Sequence, residues 1–187
     1  MRLKAMAKIN LGLDVLGKRE DGYHEVRMIM QTIRMYDILD IRKTRRPGIV
    51  LTTNLPFIPT DQRNLVYKAA QMLMEEFDVE EGLSIKLRKF IPVAAGMAGG
   101  SSDAAAAFVG VNRMFHLGLT EEQLMERAVK VGADVPYCIM RGTALAEGIG
   151  EKLTRLPEVP KCYVLIGKPG INVSTKTAYE NLNLEGI

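Results

Sequence analysis

The spacing of apolar residues changes its period several times along the chain, and each change marks an element. Around residues 6–16 apolar and polar residues alternate, with Ile9, Leu11, Leu13 and Val15 on one side and Lys8, Asn10, Gly12 and Asp14 on the other. A period of two is that of a strand, so residues 2–17 are expected to form one. Lys18-Arg-Glu-Asp-Gly22 then carries a turn signal centred on Asp-Gly. Alternation resumes over residues 25–33, where Val26, Met28 and Met30 are in phase, and again near 37–42 and 49–53. The first third is therefore expected to be a meander rich in antiparallel pairs. Residues 54–61 hold Pro56 and Pro59 and read as a loop.

From there the period lengthens. Leu65, Ala69, Met72, Leu73 and Phe77 form a helical stripe, so residues 64–77 are expected to be a helix capped by Asp61 or Asn64. Leu83, Ile85 and Leu87 alternate with Ser84, Lys86 and Arg88, which predicts a strand over 83–91. Ala104, Phe108, Val111 and Phe115 recur at helical spacing, which predicts a buried helix over 101–115. Thr120-Glu-Glu-Gln123 fits a capping box opening a helix to about Val131, with Gly132 ending it. Residues 142–147 and 162–167 read as strands, separated by a turn at Gly148-Ile-Gly150 and a proline-bracketed segment. Residues 174–182 read as a short helix capped by Ser174 or Thr175.

Composition narrows this picture. The 187 residues fit one domain, or one domain and part of another. With 47% hydrophobic and 25% charged residues the chain has ordinary globular composition. A net charge of +3 suits an anionic small molecule and is too mild and scattered to argue for nucleic acid. The dense cluster Arg42-Lys-Thr-Arg-Arg46 precedes Pro47-Gly48 and reads as a solvated turn. Cys138 and Cys162 lie far apart in apolar runs and read as small buried hydrophobes in a reducing compartment, the cytoplasm. His24 and His116 are too few for a His-rich metal centre. No secretory leader and no membrane-spanning run is read, so no membrane partner is expected.

The chemistry gathers on one stretch. Pro92-Val93-Ala94-Ala95-Gly96-Met97-Ala98-Gly99-Gly100-Ser101-Ser102 runs from the predicted strand into the predicted helix. Glycines let a backbone curl with positive φ and approach a ligand closely. A helix start offers unpaired N–H groups and a partial positive charge. Together these suit phosphate. The same residues also make an ordinary turn and cap. No Lys follows the glycines as in a P-loop, and the final Gly of a serine-hydrolase elbow is missing, as is the GxGxxG of dinucleotide binders. Two other features stay open on their own residues. Lys8 and Asn10 project from one side of a strand, as a solvated face or as a site. Asp134, within Gly132-Ala-Asp-Val-Pro136, is a helix cap or a functional carboxylate.

Three pieces then line up. Ala7-Lys-Ile-Asn-Leu11, the loop at 92–102 and Gly132-Ala-Asp-Val-Pro136 resemble, in order and spacing, the kinases of galactose, homoserine, mevalonate and phosphomevalonate. Asp21-Gly-Tyr-His24 narrows the resemblance to the branch that phosphorylates a cytidine diphosphate derivative of methylerythritol on its 2-hydroxyl, for isoprenoid precursors. The resemblance implies ATP and Mg2+, with residues 92–102 around the phosphates and Asn64 and Lys89 near the adenine. It implies Lys8 and Asp134 as the catalytic pair, with the metal ligands unknown. It implies Asn10, Tyr23, His24, Thr175 and Tyr179 on the substrate side, with the tyrosines stacking on cytosine. Met97 replaces a Leu common in these kinases. The implied fold is a two-layer α+β domain, shared with a ribosomal-protein domain and containing a left-handed βαβ unit. Residues 1–160 would form it, and 161–187 would begin an incomplete second domain. The alternatives are a sibling small-alcohol kinase and a non-catalytic RNA-binding module of the same fold.

Overall fold

The computed structural model describes residues 1–170, 178 and 181–182. The first strand, β1 (Arg2–Lys18), turns back through Gly22 into β2 (His24–Thr44), the longest element of the chain. The short β3 (Ile49–Thr53) and the helix α1 (Leu65–Glu76) lead to β4 (Gly82–Arg88). Three helices follow: α2 (Gly99–Phe115), α3 (Glu121–Ala128) and α4 (Val135–Met140). Two strands, β5 (Thr143–Gly148) and β6 (Lys152–Arg155), close the order. Among the described residues no helix is long and apolar enough to cross a membrane.

The strands form one six-stranded sheet in the order β3-β4-β2-β5-β6, with β1 paired to β2. β2 is the spine. One edge runs along β1 for nearly its whole length. The other edge is divided, with Val26–Gln31 pairing β5 and Ile38–Thr44 pairing β4. The helices pack on the sheet face lined by Val26, Met28, Met30, Leu39, Ile41, Leu83, Ile85 and Leu87, all buried. The alanine run makes α2 thin where it meets the sheet, and a Cβ on Gly110 would fall 2.5 Å from Ile41 Cδ1 and 2.8 Å from Leu3 Cδ1.

Several expectations are corrected. Residues 25–42 are not two strands but one continuous strand. The inward phase changes from Val26, Met28 and Met30 to Asp37, Leu39 and Ile41, across a stretch where the ladder with β1 slips between Met6 and Lys8. That bulge broke the alternation without breaking the strand. The expected antiparallel meander fails at β3, which lies parallel to β4, because α1 makes the crossover between them. In β1, further slips beyond Asn10 leave Leu11 and Leu13 exposed rather than sharing a covered face. Residues 162–167 form no strand, and Cys162 is exposed while Cys138 is buried. The strand that follows β5 is instead the polar Lys152–Arg155, an edge strand too hydrophilic for its pattern to show. α3 ends at Ala128, short of the expected Val131, while its capping box at Thr120 and Gln123 forms in full. The short helix expected over 174–182, with Thr175 and Tyr179, falls mostly on residues outside those described.

Candidate active site

The loop at 92–102 curls because three of its residues take left-handed backbone angles: Ala94 (φ 53°), Gly96 (φ 69°) and Ala98 (φ 53°). Such angles strain a residue that carries a Cβ, so the two alanines sit in a conformation the surroundings must impose. Ala98 is the cap residue of α2 and supplies no side-chain hydrogen bond. The first turn of α2 also holds no acidic residue. The N-terminal end of a 17-residue helix is thereby left uncapped from within, facing the cleft. Gly99 is closely seated, since a Cβ there would stand 3.1 Å from Lys89 Nζ and 3.2 Å from Ile91 Cγ2.

β1 brings Lys8 under this loop. Its backbone N–H donates to the Met97 carbonyl at 3.2 Å, which fastens strand to loop. Its side chain is buried, and Nζ donates to Asn10 Oδ1 at 2.9 Å and stands 3.9 Å from Asp134 Oδ2. The solvated-face reading of Lys8 is therefore set aside. Asp134 occupies the cap position of α4 but makes no capping hydrogen bond. Its carboxylate is left one-third exposed and turned toward Lys8, so the cap reading is set aside as well. Below it, burial pushes the Cys138 thiol well up, which keeps that cysteine a packing residue rather than a nucleophile.

The loop, Lys8, Asn10 and Asp134 line one cleft of ≈ 1090 Å³. The volume exceeds that of a common single-ligand pocket and suits two ligands side by side. Lys8, Asn10, Tyr23, His24, Asn64, Lys89, residues 92–101 and Asp134 all contribute to its walls. Tyr23 lines the same cleft from the turn between β1 and β2, and is largely exposed. That tip is set by its own residues. Arg19 N–H donates to the Tyr23 carbonyl at 2.8 Å, Tyr23 N–H donates to Asp21 Oδ1 at 3.1 Å, and the Arg19 guanidinium bridges Asp21 and Glu25. Hydrogen bonds from Arg19 hold the Asp21 carboxyl below the usual carboxylate range.

Three expected residues are placed differently from the rest. Ser102 lies behind the wall, where its hydroxyl donates to the Met6 carbonyl. Asn64 lines the cleft, but its side chain accepts from Val66 N–H at 2.9 Å and donates to the Pro59 carbonyl at 2.8 Å. Lys89 also lines it, with its ammonium bound to two carboxylates, Asp37 and Asp103. Thr175 and Tyr179 lie outside the described residues.

Residues 64–142 match the family described as "GHMP kinases N terminal domain". Over 183 residues the chain is 57% identical to the 4-diphosphocytidyl-2-C-methyl-D-erythritol kinase of Lachnospira eligens, covering 98% of this chain and 64% of that protein. The kinase of the same name from Lachnoclostridium phytofermentans is 58% identical, with 98% and 63% covered. Residues 64–142 thus carry a GHMP kinase N-terminal domain. A crystal structure of 4-(cytidine 5'-diphospho)-2C-methyl-D-erythritol kinase superposes with a TM-score of 0.73 at 35% identity, over 83% of this chain and 55% of that one. The Methanococcus jannaschii mevalonate kinase shares the fold, with a TM-score of 0.64 at 15% identity. The chain thus spans less than two thirds of the length of the curated relatives named above.

The sequence reading missed Asp37 and Asp103. Asp37, fully buried in β2, accepts from the backbone N–H groups of Phe90 and Ile91. Asp103, on the first turns of α2, is buried and lies at the cleft. Burial and the neighbouring Asp37 push its carboxyl up to about 8, against the pull of Lys89. One signal was available: Asp37 stands in phase with Leu39 and Ile41, at a core position of its strand.

Proposed function

We propose that this chain carries the donor and catalytic half of an ATP-dependent kinase that phosphorylates the 2-hydroxyl of 4-diphosphocytidyl-2-C-methyl-D-erythritol. The observation that carries the reading is the approach of Lys8 to Asp134, 3.9 Å apart, at the foot of an uncapped helix start and across one cleft from Tyr23. ATP with magnesium supplies the phosphoryl group and neutralises its charge; magnesium is assigned no ligand from the chain. The uncapped N–H groups at the start of α2 and the curled backbone at 94–98 suit the phosphates. Asp134, uncommitted to its own helix, accepts the hydroxyl proton. Lys8 holds that carboxylate in place and sets positive charge beside the transferring group. Tyr23 offers its exposed face to the cytosine, and His24 beside it a polar contact. Asn10 holds Lys8 and lies on the substrate side. Asn64 and Lys89 form the wall toward the adenine through their surfaces, their polar ends being engaged. Thr175 and Tyr179 complete the cytosine site in this reading. Residues 1–160 make the nucleotide domain, and 161–187 begin a second domain. The free thiols suit a reducing, cytoplasmic setting.

Asp134→Asn tests the assignment. Phosphoryl transfer to the cytidine substrate should fall by about 10²-fold or more, while calorimetric affinity for a non-hydrolysable ATP analogue stays close to that of the parent. Normal turnover by this variant would remove Asp134 from the role of base.

A further inference from the structure

Lys89 sits where the two ends of the Gly-rich loop are tied down. On the entry side, Asp37 Oδ1 accepts from Phe90 and Ile91 N–H, the residues just ahead of Pro92, and its other oxygen accepts from Lys89 Nζ. The Lys89 backbone is held a second time, its N–H donating to Asn54 Oδ1 at 2.8 Å and its carbonyl accepting from Asn54 Nδ2 at 3.1 Å. On the exit side, Lys89 Nζ donates to Asp103 Oδ2 at 2.6 Å, within the first turns of α2. Gly99 lies directly over the same ammonium. All three charged side chains are buried, Asp103 is one of the cleft's lining residues, and its Oδ1 has no hydrogen-bond partner among the described residues. None of the three reaches the catalytic pair. We propose that Asp37, Lys89 and Asp103 form a positioning clamp that fixes the spacing of both ends of the loop for a polyphosphate, with two carboxylates sharing one ammonium. The proposal rests on the reading of the loop as the phosphate site.

The charge count gives the clamp a second property. With both carboxylates ionised the cluster carries one net negative charge directly beneath a site for anions, which opposes their binding. With a proton on Asp103 it is neutral, and the upward push on that carboxyl favours this state near neutral pH. Few other charges bear on the cluster. From α4, the Cys138 thiol senses Asp103, and Lys8, Asp134 and Arg141 act on that same thiol. The loop between Pro92 and Ser102 brings no titratable group of its own.

Inorganic tripolyphosphate and a non-hydrolysable ATP analogue serve as probes of the loop, and the cytidine diphosphate ester of methylerythritol probes the opposite wall. In calorimetry on the full chain, Asp37→Asn places an amide against the Lys89 ammonium and should weaken both loop probes about tenfold or more while leaving the ester within about twofold. Tripolyphosphate affinity of the parent should fall between about pH 7 and about pH 9 more steeply than that of Asp103→Asn, whose amide keeps the clamp neutral. Equal weakening of loop probes and ester in Asp37→Asn, or parallel pH profiles with binding intact, overturns the clamp and leaves the phosphate site standing. Failure of the parent to take either loop probe overturns the phosphate reading and the clamp with it. Should Asp37→Asn not fold, the comparison of parent with Asp103→Asn decides alone.

Discussion

Single residues in this site differ in how much of their role local sequence can carry. Lys8 and Asp134 stand in short motifs, and the structure adds what the motifs left open: one is buried and the other declines its cap. Tyr23 is set by a turn whose Asp-Gly signal is local. Replacing it by alanine should lower affinity for the cytidine substrate by about 1–3 kcal/mol, the usual worth of base stacking, with little change for ATP. Equal losses for both ligands in calorimetry would remove the stacking role. Asp37 and Asp103 stand in no such motif: Asp37 shows only as a carboxylate in phase with Leu39 and Ile41, and Asp103 looks, in sequence, like any residue of a helix start. Asp103 leaves a trace in stability. Its carboxyl is pushed up to about 8 in the fold, so the folded chain binds a proton that the unfolded chain has released above its ordinary value of about 4. This contribution is whole at acid pH and is lost as pH rises from about 4 to about 8, by a few kcal/mol at most. Urea unfolding across that range should show the decline in the parent and a smaller one in Asp103→Asn. Matching slopes would mean that Asp103 titrates as an ordinary carboxylate.

Elements were legible where their pattern is the product of local chemistry. α1 is set by Asn64, α3 by its capping box and α2 by its apolar periodicity, and all three stand close to where the sequence puts them. The errors have one kind of cause. A bulge split β2 in the reading, a crossover helix made β3 parallel, and the polar β6 was stabilised by pairing with β5 rather than by its own pattern. Residues 162–167 show the converse, since an apolar run with no paired strand among the described residues leaves Tyr163 and Leu165 fully exposed. The close seat of α2 on the sheet is also invisible in the alanine run alone. Gly110 is where it is tightest, with the Ile41 and Leu3 methyls closing over the missing side chain. Gly110→Val should therefore lift α2 from β2 and cost about 1–3 kcal/mol. A denaturant midpoint equal to that of the parent would show that those methyls swing aside freely.

For the molecule as a whole, β2 joins the two halves of the site. Its first half carries the hairpin tip with Tyr23 and His24 and pairs with β5. Its second half pairs with β4, which runs into the Gly-rich loop. In the proposed reading, the donor wall and the acceptor wall thus hang from one strand. That strand is weakest at its centre, because residues 32–37 fall between the ladders to β5 and β4, and the ladder to β1 slips over the same stretch. Strands ordinarily open from their ends, and amide protons there are the first to be replaced by deuterium. In β2 the order should be inverted. The amides of Ile33, Arg34 and Met35 should exchange about tenfold or more faster than those of Met28–Met30 and Leu39–Ile41. Uniform protection along β2, measured by deuterium exchange at single-residue resolution, would contradict this. The spine then acts as two rigid arms joined at a soft midpoint, with one wall of the cleft on each arm.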